Sequence, residues 1–271
     1  MPELPEVETT RRGIEPWLVG HRIEQVIVRD RRLRWPVSRG LPALLRGSTV
    51  KAVRRRAKYL LIATDTGTAI LHLGMSGSLR VMEANAPPLA HDHVDIVLDT
   101  GRCLRFNDPR RFGSLLFTAG DPLRHRLLKD LAVEPLSREF DGEALWRHAR
   151  GRRVSIKAFI MDSRAVVGVG NIYASEALFR AGIKPGLAAG KVSCERMAIL
   201  VTRIREVLTE AIGVGGTTLR DYVDPSGMPG YFRQKLFVYE RAGQPCRKCR
   251  TTIRQYVQGQ RSTYWCPQCQ R

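Results

Sequence analysis

Acidic residues are scarce in this chain relative to basic ones. Its 271 residues hold 26 Asp and Glu against 45 Lys and Arg, a formal charge of +19 at pH 7. That imbalance directs the search toward a polyanionic partner, most simply nucleic acid. A basic protein on an anionic membrane surface, or one that is merely adhesive, is the plain alternative. Long apolar runs are also missing. No stretch of about 18 apolar residues exists, so no helix spans a bilayer. The N-terminus is acidic and proline-punctuated, without a basic and then apolar signal-like segment, which leads to the expectation of a cytosolic protein. Cysteine is sparse over most of the length. Only Cys103 and Cys194 stand outside a C-terminal cluster of four. In a reducing compartment that clustering suggests a metal site more than disulfides.

What is present is an ordinary hydrophobic fraction, 43%, on a chain long enough for two domains or one with an appendage. Residues 6–18 carry a helical pattern, with Glu6 and Glu8 in the first turn and Val7, Ile14 and Leu18 on one face. After Gly20 the pattern shortens to strands. The spacing predicts strands at 22–29, 49–56, 58–63, 68–73, 94–98, 103–106 and 114–117, with turns at Asp65-Thr66-Gly67 and Thr100-Gly101. Many short strands with close turns suggest an antiparallel sandwich or flattened barrel. Residues 121–135 read as a linker with a short helix. Beyond them the period becomes helical, with helices expected at 142–150, 155–161, 172–180 and 193–212. The last shows the clearest stripe: Met197, Leu200, Val201, Ile204, Leu208, Ala211 and Ile212.

Several stretches are chemically unusual. The chain opens Met1-Pro2-Glu3-Leu4-Pro5-Glu6. With Met1 removed, Pro2 presents a secondary amine that titrates near ~8, against ~10.4 for a lysine. Such an amine is a ready nucleophile for imine chemistry, and Glu3 and Glu6 supply nearby proton donors and acceptors. Alternatively Pro2 merely follows the initiator and the two glutamates are first-turn helix acids. Lys51 to Lys58 holds five basic residues and no acid. It is either a solvated strand face or a strand laid along phosphates with Lys58 at the tip. His72-Leu73-Gly74-Met75-Ser76-Gly77 is a glycine-rich turn offering a methionine that is either core or wedge. Asn107-Asp108-Pro109-Arg110-Arg111-Phe112-Gly113 is a polar turn with an apolar ring beside arginine, the pairing needed to enter a base stack and hold an unpaired partner. Val167-Gly168-Val169-Gly170-Asn171 lets the backbone turn tightly before a helix, with Asn171 as its N-cap. A helix start of that kind holds a phosphate, and Lys157 could complete the site; a simple connector is the alternative. The glycine-rich loop 215–231 is either a lid or disordered.

The C-terminus is the most specific stretch. Cys246-x2-Cys249-x16-Cys266-x2-Cys269 supplies two tight pairs, and four thiolates make a closed tetrahedral site for one structural Zn2+. Residues 241–271 contain seven Arg or Lys and no acid, so a zinc hairpin bearing Arg254 and Arg261 is suited to a nucleic-acid backbone.

Taken together, these residues resemble the bacterial formamidopyrimidine-DNA glycosylase family, the 8-oxoguanine repair enzymes, over the whole chain. The resemblance rests on Pro2-Glu3-Leu4-Pro5-Glu6-Val7-Glu8-Thr9, Ala57-Lys58-Tyr59-Leu60, His72 to Gly77, Asn107 to Gly113, Gly170-Asn171-Ile172-Tyr173-Ala174 and the finger ending Gln260-Arg261-Ser262-Thr263, in that order. It implies an α+β fold: a leading helix and antiparallel β-sandwich (residues 1–130), a helix–two-turn–helix domain with a lesion-capping loop (131–235), and a four-cysteine zinc finger (236–271). It implies that Pro2 attacks C1′ of a damaged nucleotide, that Glu3 acts as general acid, and that Lys58 sits near the lesion and its phosphate. Met75, Arg110 and Phe112 would fill the gap left by the flipped base, with Arg110 facing the orphaned cytosine. Lys157, Asn171 and Arg261 would bind phosphates, and His72 and His91 would be secondary DNA contacts. Glu6, Thr217, Thr218 and Tyr231 would line the lesion pocket. The implied partner is double-stranded DNA holding an oxidised purine or an abasic site, met by a monomer associated with the bacterial nucleoid. Base removal would be followed by β,δ-elimination.

One departure from the family and two alternatives accompany this resemblance. The family usually has glycine after the second zinc cysteine, where Arg250 stands here; a left-handed backbone at that knuckle would cost arginine about 1 kcal/mol or more. A sibling class resembling endonuclease VIII, which prefers oxidised pyrimidines, shares the proline but usually begins Pro-Glu-Gly-Pro, whereas this chain reads Pro2-Glu3-Leu4-Pro5, and the Met75, Arg110 and Phe112 set also favours the purine-repair reading. A non-catalytic zinc-finger DNA-binding module is the remaining alternative, and intact Pro2, Glu3 and Lys58 argue against it.

Overall fold

The computed structural model describes residues 2–215 and 235–271. They form two compact units, one up to Lys129 and the other comprising 130–213 and 235–271. The first unit opens with helix α1 (Leu4–Leu18). It starts two residues earlier than its apolar period suggests, because Pro5 falls in the first turn, where a missing N–H costs nothing. Leu4, Val7, Ile14 and Leu18 are buried, and the helix packs on strand β2 (Val50–Arg56).

The strands are β1 (Ile23–Val28), β2, β3 (Tyr59–Thr64), β4 (Thr68–His72), β5 (Ser78–Glu83), β6 (Asp92–Leu98), β7 (Arg102–Asn107) and β8 (Ser114–Thr118), with a short helix α2 (Leu41–Leu45) after β1. They build two antiparallel sheets of four strands, ordered β1-β6-β7-β5 and β2-β3-β4-β8. One core joins their inner faces: Val26, Leu79, Ile96, Leu104 and Phe106 from the first sheet meet Val53, Leu60, Ile62, Leu71 and Leu115 from the second. The expected sandwich is therefore present. Strand β5 was absent from the expectation because the glycine-rich turn before it masks its alternation. Helix α2 is too short to display a helical period. The first sheet also buries a charge pair. Arg105, fully buried, clasps Asp95 at 2.8 and 2.9 Å and donates to the carbonyls of Ala86 and Pro87.

The second unit contains α3 (Gly142–Ala149), α4 (Ile156–Ile160), α5 (Asn171–Arg180) and α6 (Cys194–Gly213), then the hairpin β9 (Arg254–Gln258) and β10 (Arg261–Trp265). Asp141 and Ser155 cap α3 and α4 by accepting from Ala144 N–H and Ala158 N–H. The stripe on α6 is buried as expected, except that Ile212 is half-buried. The finger shares a small core with α5, where Phe179 meets Val238, Ile253 and Tyr264. Fully buried Glu176 on α5 accepts from the backbone N–H groups of Phe237, Val238 and Tyr239 at 2.8–2.9 Å. Burial pushes its carboxyl above the usual range, against the pull of those three donors. Among the described residues no helix is long and apolar enough to cross a membrane.

Candidate functional site

In the first unit the chemistry gathers at the start of α1. Pro2 is buried and Glu3, the N-cap residue, is 2% exposed. The Glu6 carboxylate accepts the Glu3 backbone N–H at 2.8 Å. This reciprocal capping interaction immobilises the peptide that follows Pro2. Glu6, expected at the lesion pocket, thus has one oxygen committed to the N-terminus.

One turn further on, Glu8 collects Arg11, Arg12 and Arg55. Burial works against its ionisation, but the hydrogen bonds from Arg11 and Arg12 and the charges of Arg11 and Arg55 outweigh it and hold its carboxyl below the usual range. Arg55 also donates to the Ala57 carbonyl at 2.9 Å. Ala57, at φ +54°, and Lys58 form the two-residue turn between β2 and β3, since Arg56 pairs with Tyr59. Glu8 and Arg55 therefore tie the helix carrying Glu3 to the turn carrying Lys58. Of the basic run, Lys51 and Arg54 are exposed, while Arg55 is occupied internally.

Two further turns present the expected wedge residues. Met75 is 38% and Phe112 43% exposed, and exposed Arg110 lays its guanidinium over the Phe112 ring at 5.0 Å. The structure distinguishes the two arginines of this turn, because Arg111 swings back to pair with Asp30 at 2.8 Å. The backbones of the two turns touch. A Cβ on Gly74, already at φ +68°, would lie 2.4 Å from Gly113 N and Phe112 C, so only glycine fits. His72, half-buried, lies against Tyr59 with ring centroids 4.7 Å apart and the planes tilted by 56°. Its Nδ1 accepts Gly74 N–H at 2.9 Å, which leaves the proton on Nε2. Burial, then the charges of Lys58 and Arg34, push its pKa down to about 4. His91 is exposed at φ +70°.

In the second unit the expected phosphate ligands converge on the zinc hairpin. Helix α5 begins one residue before its predicted start, so Gly170 is the N-cap and Asn171 the first helical residue. Asn171 Nδ2 donates to the Ser262 carbonyl at 3.1 Å. Lys157, only 2% exposed, donates to the same carbonyl at 3.1 Å and to Thr263 Oγ1 at 2.8 Å. Exposed Arg261 adjoins them, and Lys157, Gln258, Gly259 and Arg261 line one hollow. Lys157 and Asn171 thus hold the hairpin that displays Arg261.

The four finger thiolates Cys246, Cys249, Cys266 and Cys269 lie within 4.8 Å of one another. Tetrahedral ligands on a metal at ~2.3 Å stand ~3.8 Å apart, so this set fits zinc and leaves no ligand position for water. Arg250 adopts φ +68°, the left-handed knuckle expected from its position. Thr217, Thr218 and Tyr231 lie outside the described residues. Ser76, Asp108 and Glu176 were missed as organising residues; short polar side chains inside turns and one acid on a helix give no pattern to detect.

Three family profiles match the chain: the formamidopyrimidine-DNA glycosylase N-terminal domain over residues 1–115, the H2TH domain of the same glycosylase over 131–223, and a zinc finger found in FPG and IleRS over 243–271. Formamidopyrimidine-DNA glycosylase from Thioalkalivibrio sulfidiphilus is 59% identical over 271 residues, and that from Methylococcus capsulatus 60%, with both chains fully covered in each case. Among solved structures, the MutM (Fpg) protein from Thermus thermophilus is 40% identical with a TM-score of 0.89, covering 99% of this chain and 98% of its own. Lactococcus lactis Fpg in complex with abasic-site DNA is 31% identical with a TM-score of 0.91, covering 99% of both chains.

Proposed function

This chain belongs to the formamidopyrimidine-DNA glycosylase family, and from that premise we propose that it excises oxidised purines from duplex DNA through an imine on Pro2 and then nicks the strand. It is a DNA glycosylase and abasic-site lyase. Its substrates are duplexes holding 8-oxoguanine, a formamidopyrimidine or an abasic site; abasic and Fapy-dG DNA are bound by the Lactococcus lactis relative. Extruding the base costs a few kcal/mol, part of which Met75, Arg110 and Phe112 offset by filling the gap.

The Pro2 lone pair bonds to C1′ as the base leaves with its electron pair and a proton. Glu3 protonates the sugar ring oxygen, which opens to the imine. Loss of a C2′ proton expels the 3′ phosphate, and a second elimination expels the 5′ phosphate. Water then returns the free amine. Lys58 attends the lesion phosphate, and His72, His91, Lys157, Asn171 and Arg261 serve the DNA backbone, the last three around Ser262. Glu6, Thr217, Thr218 and Tyr231 are our assignment for the lesion pocket. Zinc bound by the four cysteines supplies folding energy and no step of the reaction. We assign a catalytic sandwich to residues 1–130, the helical domain to 131–235 and the finger to 236–271. The enzyme works as a monomer in the bacterial cytoplasm, on the nucleoid.

The observation that carries this reading is the Glu6 carboxylate on the Glu3 amide, which fixes the peptide that joins Pro2 to the start of α1. Borohydride reduction on an 8-oxoguanine:cytosine duplex tests it. The expected result is a covalent protein–DNA band that maps to Pro2 and is absent from Pro2→Gly. A band only with an oxidised pyrimidine would move the chain to the sibling specificity. A crosslink mapping to Lys58 instead would overturn the terminal-amine mechanism.

A further inference from the structure

The turns that carry Met75, Arg110 and Phe112 are joined by a polar knot that the reaction itself does not use. Asp108 is fully buried. One of its oxygens accepts Ser76 Oγ–H at 2.7 Å and the other accepts Gly113 N–H at 2.7 Å. Ser76 Oγ, 6% exposed as a residue, in turn accepts Arg110 N–H at 3.2 Å. The Asp108 carbonyl accepts from Nε2 of buried His93 at 2.8 Å, and Asp108 N–H donates to the His91 carbonyl at 3.0 Å. The Gly74 backbone closes the arrangement against Phe112 and Gly113. These hydrogen bonds tie the two turns to each other and to the start of β6, so moving either turn breaks at least one buried bond, which is costly away from water.

We propose that Asp108 and Ser76 are positioning residues that set which base is accepted opposite the lesion. They do so by fixing the backbone of Arg110 relative to Met75 and Phe112. An arginine tests a base edge only if its donors arrive at a defined place, and each good contact of that kind discriminates between bases. The chain upstream of the guanidinium has four rotatable bonds, so the precision must come from its Cα and from the Phe112 ring beneath it. Ser76 supplies the first through the Arg110 amide, and Asp108 supplies the second through the Gly113 amide. The inference rests on the reading of Arg110 as the residue that faces the orphaned base.

The test is the ratio of kcat/KM for 8-oxoguanine opposite cytosine to that for 8-oxoguanine opposite adenine. In Ser76→Ala, which deletes the bridging hydroxyl, the ratio falls about three- to tenfold, as expected for one or two lost hydrogen bonds. Asp108→Asn keeps one acceptor and falls between this variant and the parent. Thermal unfolding and borohydride trapping on an abasic-site duplex verify that both variants fold and retain Pro2 chemistry. Equal losses on both duplexes, with the ratio intact, would mean the knot supports only the fold and overturn the proposal. Arg110→Ala separates the two levels. If it abolishes the ratio while Ser76→Ala preserves it, the knot is refuted alone; if it preserves the ratio, the reading of Arg110 fails and the knot with it.

Discussion

Glu176→Gln is a sharp perturbation of this architecture, because it exchanges one oxygen for a nitrogen at nearly constant volume. In the parent, Oε1 accepts from Val238 and Tyr239 and Oε2 from Phe237. The amide can keep its oxygen toward Val238 and Tyr239, but its NH2 then faces the Phe237 N–H, donor against donor. One buried bond is lost and one N–H is stranded, a cost of about 1–3 kcal/mol. At the middle of that range the melting temperature falls by about 4–8 °C for a protein of this size. Glu176→Ala strands all three amides and costs more. The segment 237–239 leads directly to the zinc cysteines, so the same change loosens Arg261 against Asn171 and weakens DNA binding. Differential scanning calorimetry at neutral pH, followed by titration with a fluorescent duplex, measures both. An unchanged melting temperature for Glu176→Gln would refute the reasoning, since it would mean that the two carboxylate oxygens do not both serve as acceptors.

Three other outcomes follow from the geometry. Arg250→Gly relieves a left-handed residue at φ +68° and stabilises the finger by about 1 kcal/mol, read as greater resistance of bound zinc to a chelator. His72, with its pKa pushed down to about 4, is protonated more readily in the unfolded chain. Its contribution to stability is therefore complete above the ordinary value of ~6.5 and is lost as pH falls toward 4, by ~3 kcal/mol at most; a histidine NMR titration showing the Nε2–H tautomer down to pH 5 would verify it, and a midpoint near 6.5 would refute it. Stripping zinc, or Cys266→Ser, abolishes DNA binding while the circular dichroism of α3 to α6 persists, because those helices have a core of their own; global loss of helix would contradict this.

Much of the fold was legible because its signals are local. The alternation of Ile96 and Leu98 or the stripe from Met197 to Ala211 reports directly which face is buried, and two cysteine pairs at fixed spacing announce a metal. The segments proposed for the site stood out for a related reason: Pro2 lies just before α1, and Lys58, Met75, Arg110 and Phe112 lie in connections between strands, where unusual residue types are conspicuous. What escaped were long-range polar partnerships. Nothing near Glu8 in sequence shows that it will hold Arg55, and nothing near Asp108 shows that it will meet Ser76. Nothing near Arg105 in sequence shows that it will pair with Asp95 inside the sheet. Arg110 and Arg111 are equivalent in sequence, and only Asp30, far upstream, decides which of them stays available.

The contacts of the zinc hairpin also order the protein's folding in time. Its metal ligands close a loop of only 23 residues between Cys246 and Cys269, whereas Lys157 reaches Thr263 across 106 residues and Glu176 reaches Val238 across 62. Short loops close with less entropy loss than long ones, and the N-terminal parts of a chain emerge first during synthesis. The helices bearing Lys157, Asn171 and Glu176 therefore leave the ribosome before the last cysteine does. Metal capture then assembles the hairpin locally, and the distant anchors receive a preformed part instead of a slack chain. Metal capture thus acts on a short local loop, while the anchors at Lys157 and Glu176 tie that loop to distant helices.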